Sequence, residues 1–332
     1  MAWLVFVVSA ALIVLAGIKL AEYGDVIAVR TRLGGMFVGS LLLAGATSLP
    51  ELFTSIHSIR QNVPNLTAGD FFGSSMFNML LLAILDLLYY QKRILRRVAF
   101  THALTAALAV SLTALVVFFM LADIPWRIGW VGVDSILIML VYIGGVRLIQ
   151  LQGRQSGAVI EPPAVDASRR SPKLWEAIAG FVLASILLIR VVPYLVASST
   201  EIAAITGLGT GFVGIVLVAA VTSLPELVAA LTAVRLGAFD LAVGNLFGSN
   251  VFNMFALGMV DSFYTHGRFL GAVDPAFALA GLLGVLLTSL GLIGNLARLE
   301  RRFLFVELDA LLLIVVYLAG LYLLYVRGIG GL

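Results

Sequence analysis

Thr47-Ser48-Leu49-Pro50-Glu51-Leu52 recurs as Thr222-Ser223-Leu224-Pro225-Glu226-Leu227, an offset of 226 − 51 = 175 residues. The same offset carries Gly69, Phe72, Gly73, Ser74, Phe77, Asn78 and Met79 onto Gly244, Phe247, Gly248, Ser249, Phe252, Asn253 and Met254 with no insertion. Each copy puts a carboxylate, two hydroxyls and a proline into an otherwise apolar segment. An ionisable group at membrane depth is unfavourable by at least ~2.5 kcal/mol, so a matched pair of them points to a functional site. One copy alone would be explained by a proline kink whose freed carbonyl is satisfied by a hydroxyl. Two copies, each followed by a Gly-Ser-x-x-Phe-Asn segment, are not.

The surrounding composition makes membrane depth the right setting. The chain of 332 residues is 61% hydrophobic and 12% charged, with a mean hydropathy of +1.09, whereas soluble domains run about 45 to 50% apolar and 25% charged. Apolar stretches of roughly 20 residues, each able to cross about 30 Å of hydrocarbon, leave little room for a soluble domain. Hydropathy divides the chain into spans near 3–21, 33–60, 66–89, 95–121, 126–150, 174–197, 208–234, 240–264, 270–296 and 302–326. The run from Trp3 to Leu20 has no basic stretch before it and no small-residue cleavage signature after it, so it reads as a retained helix. A net charge of +3 in such a chain does not point to nucleic acid, and the absence of cysteine excludes disulfides, thiolate catalysis and Cys-ligated metals.

The one long polar interruption, Leu151 to Lys173, reads as a cytoplasmic linker between a first repeat at 1–150 and a second at 174–332. The offset persists outside the motifs: Leu33-Gly34 and Phe37-Val38-Gly39 match Leu208-Gly209 and Phe212-Val213-Gly214, and Asp134, Val141-Tyr142 and Gly145 match Asp309, Val316-Tyr317 and Gly320. A repeat with an odd number of spans enters the bilayer from opposite sides in its two copies. The expected fold is therefore an all-α integral membrane protein, ten transmembrane helices as two inverted five-helix repeats, an arrangement common among secondary transporters.

Loop charges orient it. With the N-terminus outside, the inner loops hold Arg30, Arg32, Lys92, Arg93, Arg96, Arg97, Arg147, Arg154, Arg169, Arg170, Lys173, Arg235, Arg298, Arg301 and Arg302, against Arg60, Arg127, Arg190, Arg268 and Arg327 outside. The positive-inside rule then places both termini outside a plasma (inner) membrane.

Residues four apart share a helix face, which pairs Thr47 with Glu51, Ser74 with Asn78, Thr222 with Glu226 and Ser249 with Asn253. Pro50 and Pro225 deprive the carbonyls of Ala46 and Val221 of their helical partners. Carboxylate, hydroxyl, amide and carbonyl are hard oxygen donors, suited to Ca²⁺ or Na⁺ rather than Zn²⁺ or Cu²⁺. Gly69, Gly73, Gly244 and Gly248 offer positions where helices can approach closely. Two glutamates would neutralise one Ca²⁺, or carry Na⁺ or protons in exchange.

At these residues the sequence resembles the sodium/calcium exchanger family, within the wider cation/calcium antiporters. The resemblance rests on Gly45 to Glu51 with Gly69 to Asn78, and on Ala220 to Glu226 with Gly244 to Asn253. It implies that Glu51 and Glu226 are central ligands shared between Ca²⁺ and Na⁺ sites. Thr47, Thr222, Ser74, Ser249 and the carbonyls of Ala44 and Ala219 would supply further oxygens, with Ser48 and Ser223 beside them and Asn78 and Asn253 closing a diamond. The Ca²⁺ itself would sit on Glu51, Glu226, Thr47 and Thr222. The resemblance also implies alternating access, with the first and sixth helices sliding across a fixed core.

Some positions depart from the family pattern. Asn253 stands where some relatives have aspartate, leaving two acidic ligands instead of three; Asp70 and Ser75 stand where the second repeat has Asn245 and Asn250. At ~1.5 Å per residue Asp70 lies about 12 Å along the helix from Asn78, and it is expected to be a helix cap or an access-path charge. Asp134 and Asp309 are expected to make caps or interhelical contacts, and Asp86 and Asp261 to be interfacial. His57, His102 and His266 share no ligand spacing.

The reading is a Ca²⁺/Na⁺ antiporter without cofactor, whose partners are the bilayer and inorganic cations, with no protein partner evident. A Ca²⁺/H⁺ antiporter using the same glutamates is the alternative. An intramembrane enzyme is disfavoured because no Cys nucleophile and no His-Glu zinc signature exist and the hydroxyls lie beside carboxylates rather than a histidine. A passive channel fits the ligands but not the inverted repeats.

Overall fold

The computed structural model describes residues 1–30, 43–89, 102–155, 172–297, 302–303 and 306–329. Arg32, the matches at Leu33-Gly34 and Phe37-Val38-Gly39, the basic cluster from Lys92 to Arg97, Arg169, Arg170, Arg298, Arg301 and most of the linker lie outside the described residues.

The chain is helical almost throughout. Helix α1 runs Ala2–Arg30, and residues 43–47 form a helical turn that leads through Ser48 into α2, Leu49–Arg60. Then come α3, Pro64–Leu88, α4, Ala103–Ala122, and α5, Val133–Gln155. In the second half α6 is Leu174–Thr206, α7 Thr210–Thr222 and α8 Leu224–Arg235. They are followed by α9, Phe239–Val260, the short α10, Phe269–Ala272, α11, Phe277–Ala297, and α12, Leu308–Val326. Among the described residues eight helices are long and apolar enough to cross a membrane, or nine if the bent pair α7–α8 counts as one span.

The elements recur at the sequence offset. Arg127–Ile128 pairs antiparallel with Val131–Gly132 ahead of α5, and Arg302–Phe303 pairs with Val306–Glu307 ahead of α12, each position displaced by 175. These hairpins correct the spans read as beginning at 126 and 302, because their first residues are strand and turn and the helices start at Val133 and Leu308. Trp, Arg and Gly among the apolar residues of 126–132, and the apolar residues between Arg302 and Glu307, carry no helical period, and hydropathy alone does not distinguish them from a span. Helices α1 and α6 instead extend well beyond the expected 3–21 and 174–197.

Packing divides the molecule in two. Ile13, Ala16 and Leu20 of α1 join Leu188, Val192 and Leu195 of α6, with Leu66 of α3 and Val218 and Val221 of α7, in one apolar cluster, while α2 to α5 and α7 to α12 build another around Phe71, Phe72, Phe247 and Phe277. Large apolar side chains remain exposed along the outward faces of α1, α5, α6 and α12, which in a bilayer meet lipid rather than water. Towards the centre, glycines bring backbones together as expected. A Cβ on Gly69 would lie 2.4 Å from the Gly211 carbonyl, and one on Gly73 2.5 Å from that of Ile215. Gly244 is filled differently, by the His102 ring, 2.6 Å from where its Cβ would be.

The peripheral acids are structural. Asp134 pairs with Arg268 at 2.8 Å and accepts the backbone N–H of Ser135 at 2.8 Å, and Arg268 also pairs with Asp123. Asp86 and Asp261 lie at the ends of α3 and α9, as expected, and are buried there. Asp261 accepts the N–H of Gly132 at 2.7 Å and of Phe269 at 2.6 Å, so it ties the first hairpin to α10.

Candidate cation site

Two helix breaks create the site. Proline cannot donate to the preceding turn and its ring crowds the i−4 carbonyl, so the chain leaves helical geometry just ahead of Pro50 and Pro225. Ser48 (φ −87°, ψ 10°) and Ser223 (φ −88°, ψ 3°) take nearly the same conformation, and α7 meets α8 at a bend of 40°. One wide turn of π-helix, Gly214–Val218, precedes the second break; such turns occur disproportionately at functional sites.

The breaks direct each serine at the other repeat's glutamate. Ser48 Oγ donates to Glu226 Oε1 at 2.8 Å, and Ser223 Oγ donates to Glu51 Oε1 at 3.1 Å. Both glutamates are fully buried. The repeats therefore share one site, with each acid held partly by the opposite half of the chain. Ser249 adds a third hydroxyl, 3.3 Å from Glu226 Oε1.

The threonines sit one turn away. Thr47 Oγ1 lies 3.1 Å from the Ala44 carbonyl and 3.4 Å from Asn245 Oδ1. Thr222 Oγ1 lies 3.1 Å from the Val218 carbonyl, 3.3 Å from that of Ala219 and 3.4 Å from Ser74 Oγ. The Ala44 and Ala219 carbonyls also accept the N–H of Ser48 and Ser223, each at 3.0 Å. Asn78 Nδ2 donates to Asn250 Oδ1 at 2.9 Å, and Asn250 Nδ2 donates to the Ser75 carbonyl at 3.1 Å. Asn253 is buried with neither amide atom partnered.

Asp70 is neither a cap nor remote. It lies inside α3, 1% exposed, and accepts a hydrogen bond from Thr222 Oγ1 at 3.0 Å. The cap expectation failed because α3 begins at Pro64, well ahead of Asp70, which lies one turn from Ser74 on the face that meets Thr222. Asn245 occupies the equivalent place beside Thr47. Sequence reasoning thus missed Asp70, Asn245 and Asn250 as members of the cluster. The i, i+4 spacing from Asp70 to Ser74, repeated from Asn245 to Ser249, was the signal that could have found the first two; Asn250 had none.

Buried polar atoms are nearly always hydrogen-bonded. Here Glu51 Oε2, Glu226 Oε2, Asp70 Oδ2, Asn78 Oδ1 and Asn253 Oδ1 are not. All are hard oxygen acceptors lacking a donor, which is the chemistry of a shell waiting for a hard cation. Glu51, Asp70 and Glu226 lie within one another's electrostatic reach, and none of them has an ion pair among the described residues. Among those residues, no three acidic, histidine or cysteine groups converge tightly enough to hold a metal alone. Hydroxyls, amides and carbonyls would complete any shell.

Long apolar helices around a buried, occluded nest of carboxylates and hydroxyls define a multi-pass membrane protein that handles cations. The family model for sodium/calcium exchanger protein matches residues 1–149 and 176–326. The chain belongs to the sodium/calcium exchanger protein family, whose members are membrane antiporters. It is 27% identical over 316 residues to the putative antiporter CaxA of Alkalimonas amylolytica, covering 90% of this chain and 91% of that one. Its fold is similar to that of the H⁺/Ca²⁺ exchanger CAX, with TM-score 0.67, 16% identity and coverage of 99% and 89%. It is also similar to the sodium-calcium exchanger NCX_Mj, with TM-score 0.58, 20% identity and coverage of 97% of each chain.

Proposed function

We propose that this protein exchanges Ca²⁺ for Na⁺ across a membrane by alternating access, with Glu51 and Glu226 as the shared cation ligands. The reciprocal serine bonds carry the reading. Each glutamate keeps one oxygen on a serine of the opposite repeat and leaves the other unpartnered. Two carboxylates, each with one free oxygen, suit one divalent ion, or monovalent ions that replace it in turn. Thr47, Thr222, Ser74, Ser249, Asn78 and Asn253 surround them and would complete the shell, the Ala44 and Ala219 carbonyls contributing as they tilt away from their own helices.

In this reading the chain has ten spans in two inverted five-helix repeats, 1–150 and 174–332, joined by a cytoplasmic linker, with both termini outside an inner membrane. Inversion supports alternating access because exchanging the conformations of two equivalent halves opens the site to the other side. The apolar cluster centred on α1 and α6, which meets the core through Leu66, Val218 and Val221, is consistent with a pair of helices that moves over a fixed core. No cofactor is required, since the ions are the substrate.

The related fold of an H⁺/Ca²⁺ exchanger keeps a second reading in view, Ca²⁺ against protons at the same pair. Proteoliposomes loaded with Ca²⁺ separate the two. Release driven by external Na⁺ at clamped pH supports Na⁺ coupling; release that ignores Na⁺ and follows an imposed proton gradient overturns it in favour of protons.

A further inference from the structure

We propose that Asp70 is a third acidic ligand of the site, binding one alkali cation beside the ion held by Glu51 and Glu226. The inference rests on the reading of that pair as a cation site and names a ligand set beyond it.

Thr222 has a single hydroxyl hydrogen but four oxygens in range: Asp70 Oδ1 at 3.0 Å, the Val218 carbonyl at 3.1 Å, the Ala219 carbonyl at 3.3 Å and Ser74 Oγ at 3.4 Å. The Ala219 carbonyl already accepts the Ser223 N–H and Ser74 brings its own hydrogen, so the Thr222 hydrogen is divided chiefly between Asp70 and the Val218 carbonyl. Asp70 Oδ2 meets no donor at full hydrogen-bond geometry, and Ser55, fully buried on α2 beside Asp70, brings a neutral hydroxyl that offsets none of its charge. The result is a concentration of oxygens deficient in positive charge. At the equivalent place in the other repeat, Thr47 faces Asn245, whose amide is neutral and brings its own hydrogens. Only the Asp70 side has this deficit.

The charges facing Asp70 deepen it. Glu51 on α2 and Glu226 on α8 are both acidic, and among the described residues Asp70 forms no ion pair. A divalent ion on the two glutamates balances only two of three negative charges. An alkali ion between Asp70, Thr222, Ser74 and Ser55 would supply the third and engage the unpartnered oxygens. Carboxylate and hydroxyl oxygens are the donors such an ion takes.

The test compares the full-length protein with Asp70→Asn, which installs the residue found at 245. Thermal stability of the purified chain would be titrated with NaCl or KCl against choline chloride at constant ionic strength. The wild type is expected to be stabilised by one alkali ion in preference to choline, and the one that acts, Na⁺ or K⁺, identifies the ion. In D70N the apparent affinity should fall about tenfold or more. Ca²⁺ uptake into proteoliposomes should lose about one unit of alkali-ion cooperativity, the slope counting ions bound per Ca²⁺ moved. Asp70→Ser gives the same reading should D70N fold poorly. Unchanged alkali dependence overturns the proposal, as does a variant that alters only the pH profile, because Asp70 then carries a proton. If the wild type moves no Ca²⁺ yet loses its alkali stabilisation in D70N, the exchange reading fails and Asp70 stands. Normal exchange with an unaltered titration defeats Asp70 alone.

Discussion

At the scale of single residues the two halves of the site are related but unequal. Glu226 Oε1 has two hydroxyl donors, Ser48 and Ser249, whereas Glu51 Oε1 has one, Ser223. A hydrogen bond to a charged group contributes roughly 1.5–3 kcal/mol, and leaving a buried acceptor bare costs more than losing the bond alone. Ser223→Ala should therefore weaken apparent Ca²⁺ affinity more than Ser48→Ala, by about tenfold or more. Flux titrations over a range of Ca²⁺ would measure this, and equal effects would mean that the serines act through packing. Glu51, Glu226 and their flanking hydroxyls were legible in the sequence because an acid repeated in an apolar segment has few explanations. Asp70 was legible only in its spacing to Ser74, since its partner Thr222 lies 152 residues away and only the fold brings those two together.

At the scale of elements, α1 crosses the site at a glycine. A Cβ on Gly17 would lie 2.4 Å from Pro225 Cγ and 3.3 Å from Pro50 Cγ, so one residue of α1 touches the prolines of both motifs. The equivalent residue of α6 is Val192. Overpacking of this kind costs typically about 1–3 kcal/mol. Gly17→Ala should lower thermal stability by that order and slow exchange, while Gly144→Ala, with nothing within 4 Å of its Cβ, should not. A Gly17→Ala protein of wild-type stability and rate would show that α1 does not bear on the prolines. The helices themselves were readable from hydropathy, but their ends were not. The hairpin before α5 is held by a tertiary contact, Asp261 accepting the Gly132 N–H, and neither that contact nor the π-helical turn at Gly214–Val218 leaves a mark on a hydropathy profile.

At the scale of the whole molecule, duplication explains why one site needs two halves. The hairpins recur at the same offset as the motifs, so the repeat extends to elements that carry no ligand. The sequence implied this from the same offset at Asp134 and Asp309, Val141-Tyr142 and Val316-Tyr317, and Gly145 and Gly320. Because the chain contains no cysteine, single cysteines added at the termini are clean topology probes. Labelling of both by an impermeant maleimide added to intact cells would agree with both termini outside. Protection of either would reverse that orientation and the positive-inside reading with it.

The central claim is that Glu51 and Glu226 form one cation site and not two. Equilibrium ⁴⁵Ca²⁺ binding to the purified full-length chain measures it most directly. The wild type should bind about one Ca²⁺ with a divalent-over-monovalent preference set by the paired charge, and Glu51→Gln and Glu226→Gln should each abolish binding in a protein that still elutes as a folded species. Retention of wild-type binding in either variant would contradict it.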